Sequence, residues 1–333
     1  MEPNTWTLSF TLYADAVLFD MDGTLTDSIQ AVEAAWGKVA KEIGQDPVKV
    51  IAATHGKRAV DNLARFKPRI KPEDMGDEVA KFEESILYFA DAYNLHGPGS
   101  SRGSSVESGT PLAASTSDAS TPSLTPDNQS SASSSRRSSF VSSTRLSRSS
   151  FARKLSTKLL HLMNSPKYKV WQVLDDLDPE LEAWQIEAAS VDRSVRILPG
   201  VKKMIDSLPN GRYAVATSGA KTYAYGCMNR VGITPPPVTI TADDKRLKAG
   251  KPAPDPFLLA AKCLGYDATK CIVFEDSPSG IRAGLASGAT VIAVCTSHER
   301  SQIEKCGAHF IVDNMESVQC EFENGKVKLT ISS

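Results

Sequence analysis

The chain has 333 residues, 38 basic against 39 acidic side chains and a net charge of −1. That length allows one large or two ordinary domains with true cores, and the near-zero charge excludes a global attraction to nucleic acid or to an anionic membrane. No apolar run reaches the length of a bilayer span, and Met1–Trp6 lacks the basic-then-apolar order of a secretory signal, so a cytoplasmic protein without stable membrane insertion is expected. All six cysteines lie in the second half without a Cys-x-x-Cys pair, which suits buried thiols rather than a disulfide or zinc framework. Asn128-Gln129-Ser130 has the form of a glycosylation sequon, which without a secretory route stays idle.

In chain order, the first informative stretch is Ala16-Val17-Leu18-Phe19-Asp20-Met21-Asp22-Gly23-Thr24. A short apolar run bounded by a turn reads as a strand buried on both faces. Asp20 and Asp22 leave its carboxyl end, where parallel sheets bind their ligands, and Gly23 permits a sharp turn. Asp27 or Ser28 then caps a helix carrying Ile29, Val32, Trp36, Val39 and Ile43 at helical spacing, with Gly44 as a stop. The pattern breaks at Ala53-Thr54-His55-Gly56-Lys57-Arg58 and resumes at Val60, Leu63 and Ala64. After Pro68 and Pro72 a longer helix is predicted from about Glu73 to Tyr93, with Val79, Phe82, Ile86, Phe89 and Tyr93 on one side. Helices without intervening strands form a helical unit inserted after the first strand.

From Gly97 to about Ser150 serine dominates, with threonine, proline, glycine and alanine, and such a segment buries too little apolar surface to offset its ordering entropy. A disordered insertion over 97–164 is expected. Serines just after basic residues, as in Arg136-Arg137-Ser138-Ser139, Arg145-Leu146-Ser147 and Arg153-Lys154-Leu155-Ser156, make it a candidate target for a protein kinase. Residues 151–164 have the pattern of a basic amphipathic helix, for which packing on its own domain, a partner or a membrane surface are the alternatives. Helical pattern returns from Val170 to about Ser190, and Leu198-Pro199-Gly200 marks re-entry into the core. Strands are predicted at 213–217, 238–240, 271–275, 290–294 and, last, 309–312. Helices are predicted between them at 221–231, 256–264, 280–287 and 299–305. This alternation predicts an α/β fold, a doubly wound parallel sheet, carrying the inserted helical cap. The expected division is 10–28 with 198–333 as core and 29–96 with 165–197 as cap.

Three further strand ends carry polar residues. Thr217-Ser218-Gly219 places hydroxyl and N–H donors before a helix, which suits an anionic oxygen, although capping alone also explains them. Lys251 sits in the stiff string Gly250-Lys251-Pro252-Ala253-Pro254, and Glu275-Asp276-Ser277-Pro278-Ser279-Gly280 ends a strand with two acids. If these strand ends converge, Asp20, Asp22, Glu275 and Asp276 face Lys251 as the only fixed cation named, and a phosphate ligand adds about two more negative charges. A divalent cation relieves that repulsion, and an all-oxygen donor set favours Mg²⁺. The set makes sense together as a site for phosphoryl transfer.

These four motifs, in this order and each after a strand, resemble the haloacid dehalogenase superfamily, over residues 14–28 and 198–312, with the helical unit where that family inserts its cap. The resemblance implies that Asp20 is a nucleophile forming an aspartyl-phosphate and that Asp22 is the acid and then the base. It implies Mg²⁺ on Asp20, the backbone carbonyl of Asp22 and Asp276, with Glu275 in or behind that set, and phosphate on Thr217, Ser218 and Lys251. The strings 53–58, 214–219, 239–244, 274–281 and 311–317 resemble more closely the fungal glycerol-phosphate and 2-deoxyglucose-6-phosphate phosphatases. That resemblance implies a phosphomonoesterase acting on small polyol or sugar phosphates, from which the serine-rich insertion departs. His55, Lys57 and Arg58 are the cap-side candidates for substrate contact. The alternatives are a sugar-phosphate mutase of the same fold and, in another class, an interaction protein working through its serine-rich segment.

Overall fold

The computed structural model of the chain describes residues 9–98 and 183–332. The serine-rich segment, its basic-serine strings and the amphipathic stretch 151–164 lie outside the described residues, apart from Gly97 and Pro98. So does most of the helix predicted from Val170, of which Ala183–Ser190 is described.

The predicted first strand, β2 (Ala16–Phe19), follows an unpredicted β1 (Ser9–Ala14) and lies at the centre of a six-stranded parallel sheet. Its neighbours are β5 (Tyr213–Ala216), β6 (Thr239–Ile240), β7 (Cys271–Glu275), β8 (Thr290–Val294) and β9 (Phe310–Val312), in the order β6-β5-β2-β7-β8-β9. Every residue of β2 and β7 is buried, as an apolar run covered on both faces requires. Side chains alternate across the sheet, so Val17, Phe19, Ile272 and Phe274 join one core cluster, whereas Ala16, Leu18, Val273 and Val291 join the other. The predicted doubly wound sheet is therefore present, with every functional strand end on one edge.

The helical unit comprises α1 (Ile29–Glu42), α2 (Pro47–Thr54), α3 (Ala59–Phe66), α4 (Met75–His96) and α5 (Ala183–Ser190). α2 was not expected; Asp46 caps it by accepting the Val48 N–H at 3.0 Å, and Pro47 fits its first turn. α4 buries Phe82, Ile86, Phe89 and Ala90 on one stripe, and its Phe82 ring packs 4.2 Å from the Trp36 ring of α1. The chain leaves and re-enters the core through a two-stranded junction, β3 (Thr26–Asp27) against β4 (Arg196–Ile197). α6 (Val201–Asp206), α7 (Lys221–Arg230), α8 (Asp255–Leu264), α9 (Pro278–Ala286) and α10 (Arg300–Ile303) belong to the re-entered part.

One expectation needs correction. The strand ending at Val312 is not the last, because β10 (Val318–Glu323) and β11 (Lys326–Ser332) form a hairpin that continues onto β1. Asn324 (φ 51°) and Gly325 (φ 78°) make its left-handed turn, and Val327, Leu329 and Ile331 point alternately into the core. Among the described residues no helix is long and apolar enough to cross a membrane.

Candidate active site

The acidic strand ends do converge. Asp20 follows β2, Glu275 ends β7 and Asp276 follows it, and one carboxylate oxygen from each lies within 4.8 Å of the others. All three are buried. The Lys251 ammonium stands between them, donating to Asp20 Oδ1 at 2.5 Å and to Glu275 Oε1 at 2.7 Å. Burial alone would lower the Lys251 pKa, but the charges of Asp20 and Glu275 outweigh it and hold the amine above its ordinary range. Burial, opposed by Lys251, raises the Asp20 pKa to about 7, and burial beside Glu275 and Asp20 lifts Asp276 well above the carboxylate range.

One cation among three buried acids leaves negative charge uncompensated, which is the condition a further cation relieves. The donors are all oxygen, so the set fits a hard divalent ion such as Mg²⁺ better than a soft one. Glu275 is the least available of the three. Its Oε1 is taken by Lys251, while Oε2 accepts the backbone N–H groups of Asp276 and Ser277, both at 2.9 Å, and the Ser277 hydroxyl at 3.0 Å. A Cβ on Gly280 would lie 1.5 Å from Glu275 Oε1, so only glycine fits over this carboxylate. Asp276 instead accepts Thr24 Oγ1 at 3.2 Å and the Ser297 hydroxyl. Gly23, at φ +80°, brings its backbone against the same group, where a Cβ would meet Asp276 Oδ2 at 2.2 Å.

Asp22 is held apart from this cluster. Its Oδ1 accepts two hydroxyls, Tyr223 at 2.5 Å and Ser28. Burial raises the Asp22 pKa while the two hydroxyls oppose the rise. Ser28, expected as a helix cap, makes no side-chain cap bond because its hydroxyl is spent on Asp22.

A cavity of about 70 Å³ lies over these groups, and Asp20, Asp22, Asp276, Ser218, His55 and Lys57 are among its walls. The structure thus brings together most of the predicted residues. Ser218 Oγ donates to the Gly56 carbonyl at 3.1 Å, which ties the sheet end to the 53–58 loop. Thr217 is buried beside them, its Oγ1 accepting the Gly219 N–H at 3.0 Å. His55 Nδ1 lies 3.3 Å from His298 Nε2, and Lys57 Nζ donates to the Ala53 carbonyl at 3.0 Å. Arg58 does not line the cavity. Its guanidinium is bound by Asp61 at 2.8 and 3.0 Å and lies against Gly250.

Five residues of this site went unpredicted: Ser28 as a partner of Asp22, Glu83, Tyr223, Ser297 and His298. The last two follow β8, and the rule that polar residues at parallel-strand ends form sites would have found them. Tyr223 and Glu83 sit inside helices among similar residues and carry no local signal.

The profile of the haloacid dehalogenase-like hydrolases matches residues 14–288. Glycerol-1-phosphate phosphohydrolase 2 of Saccharomyces cerevisiae is 36% identical over 150 residues, covering 42% of this chain and 58% of that protein. The aligned part thus spans little more than half of that relative. 2-Deoxyglucose-6-phosphate phosphatase 1 of the same yeast is 26% identical over 94% of each chain. The fold is similar to that of β-phosphoglucomutase from Clostridium difficile, with a TM-score of 0.51 at 17% identity over 92% of this chain and 93% of that one. A motif order read from strand ends, a sheet that gathers those ends round one lysine, and a family profile covering most of the chain agree: this protein belongs to the haloacid dehalogenase-like hydrolase family.

Proposed function

We propose that this protein is a Mg²⁺-dependent phosphomonoesterase acting on small polyol or sugar phosphates, with the α1–α5 unit as cap over the 70 Å³ cavity. The observation that carries the reading is the division of labour between two nearby carboxylates. Asp20 is fixed by Lys251 among acids, and Asp22 is fixed by two hydroxyls facing the same cavity. Different surroundings for two titratable groups assign different roles.

Asp20 is the nucleophile. Its carboxylate oxygen forms a bond to phosphorus as the bond to the ester oxygen breaks, and Asp22 gives its proton to the departing alkoxide. Water then attacks the aspartyl-phosphate, Asp22 takes a proton from it, and phosphate leaves with Asp20 restored. Burial raises the Asp22 pKa, the direction a proton donor requires, while its two hydroxyl partners oppose the rise. Lys251 neutralises Asp20 and is placed to meet phosphate oxygens, with Ser218 and Thr217 at the N-terminal side of α7. Asp20, Asp276 and the Asp22 carbonyl would hold Mg²⁺, which when bound neutralises phosphate and carboxylate charge. Glu275 orients Lys251 from behind. His55 and Lys57 face the cavity from the cap and are the proposed substrate contacts there, whereas Arg58 serves the cap–core contact.

The yeast relatives named for glycerol-1-phosphate and 2-deoxyglucose-6-phosphate support this substrate class. Phosphate release from a panel of polyol and sugar phosphates, with and without Mg²⁺, tests the reading. No release from any member by the parent chain, or parental turnover by Asp20→Asn, overturns it. Conversion of a sugar phosphate to its isomer without phosphate release supports a mutase instead.

A further inference from the structure

Behind the cavity over Asp20 lies a second one of about 380 Å³, between α3 and α4 of the cap and the start of α7. Ala59, Glu83 and Tyr223 line both, so the two adjoin at these residues. Tyr223 is also the donor to Asp22 Oδ1, which places the junction beside the group assigned to protonate the leaving oxygen. Glu83 is 4% exposed, an unusual place for a carboxyl group on a helix whose other acids face solvent or its margin. Its Oε1 accepts the Ala220 N–H at 2.7 Å, at the N-terminus of α7, and its Oε2 has no hydrogen-bond partner among the described residues.

We propose that the second cavity receives the body of the leaving group and that Glu83 selects it by accepting a hydroxyl on Oε2. The inference rests on the phosphomonoesterase reading above. It names the chemistry of the leaving group, an uncharged polyhydroxylated one. Among the described residues, Glu84 and Asp243 are the other charged members of the wall, and no lysine or arginine lines it. A second phosphate or a carboxylate on the leaving group meets repulsion there, whereas hydroxyls meet acceptors. Val79 and Leu87 supply the apolar side, against which carbon-bound hydrogens pack. A volume of 380 Å³ lies in the range of pockets that hold small ligands, whereas the cavity over Asp20 is the smaller of the two at about 70 Å³. Burial raises the Glu83 pKa to about 7, so above neutrality Oε2 is a charged acceptor for a hydroxyl.

A role confined to joining cap and core predicts something different, namely equal loss on every substrate. The test is therefore a ratio. With the full chain and Mg²⁺, kcat/KM is measured for glycerol 1-phosphate, 2-deoxyglucose 6-phosphate and ethyl phosphate, for the parent and for Glu83→Gln. The ratio of either hydroxylated substrate to ethyl phosphate falls about tenfold in the variant, as expected for one hydrogen bond to a charged acceptor. Should Glu83→Gln fail to fold, Val79→Phe narrows the same cavity from the other wall. The ratio of the deoxyglucose ester to ethyl phosphate then falls. Ratios unchanged in every folded variant, with the parent active, overturn this proposal and leave the phosphomonoesterase reading standing. A parent inert on all three esters overturns both.

Discussion

Replacing Tyr223 by Phe removes a single oxygen, and the structure states what that oxygen does. Tyr223 is 2% exposed, its ring lies in the main core, and its hydroxyl reaches Asp22 Oδ1 at 2.5 Å. Phenylalanine keeps the ring and its packing, so a stability change of about 1 kcal/mol is expected from the lost hydrogen bond, small beside a large-to-small core change. The catalytic cost is larger. A hydrogen bond to a charged group contributes about 1.5–3 kcal/mol, which corresponds to roughly 10- to 100-fold in rate if it acts wholly in the transition state. Ser28 donates to the same oxygen and keeps part of the positioning, so the expected loss is at the lower end, about tenfold, and falls in kcat rather than KM. Removing both donors frees the carboxylate to rotate, and Ser28→Ala combined with Tyr223→Phe is expected to cost more than the product of the single losses. Steady-state kinetics on the best ester of the panel, with melting curves of each variant, measure all of this. Parental kcat in a folded Tyr223→Phe enzyme, or a loss confined to KM, refutes the reasoning.

Lys251→Met leaves Asp20 and Glu275 facing each other in the interior without their cation, and breaking a buried pair costs about 3–5 kcal/mol. The expected result is abolished turnover with a lowered urea midpoint, and an unchanged midpoint contradicts it. Gly280→Ala drives a methyl group into the Glu275 carboxylate, which is pinned by Lys251 and three further donors. A loss of about 1–3 kcal/mol, read by denaturant unfolding, is expected together with lowered activity. Burial raises Asp20 from 3.8, and Glu83 from 4.5, to about 7, so the folded state holds protons that the unfolded state has already released. The stability these groups contribute is present at acid pH and lost as pH rises through about 7, and unfolding free energy measured without divalent cations declines from about pH 5 to about pH 8. Glu83→Gln makes that decline shallower, and an identical slope counts against the assignment. Added Mg²⁺ raises the melting temperature by binding the folded state, and Asp276→Asn abolishes the rise.

Much of the site was legible because its residues sit at strand ends. Asp20, Glu275 and Asp276 each follow or close a run whose composition announces a strand, Lys251 is marked by the stiff proline-rich string around it in the turn before α8, and charge counting alone demanded that something join four acids and one lysine. The C-terminal hairpin carries a local signal in Asn324-Gly325 and in the alternation of Val327, Leu329 and Ile331, but its strands stand apart from the βα alternation of the core, which made 309–312 the last strand expected. β1 was less legible, since it is mostly exposed and finds its place only by pairing with β11 from the other end of the chain.

The sequence by itself determined the parallel core and the strand ends at which its acids gather. Those follow from periodicity and from backbone geometry at strand ends, which are local properties. Only the tertiary structure decided that Asp22 turns to Tyr223 and Ser28 rather than to the acid cluster, that Glu275 serves Lys251, and that Arg58 is spent on Asp61. It also decided that a glutamate on α4, one among several along that helix, is the one buried against α7. A side chain's partner is set by which elements pack together, and for Tyr223 and Asp22 those lie 201 residues apart in the chain.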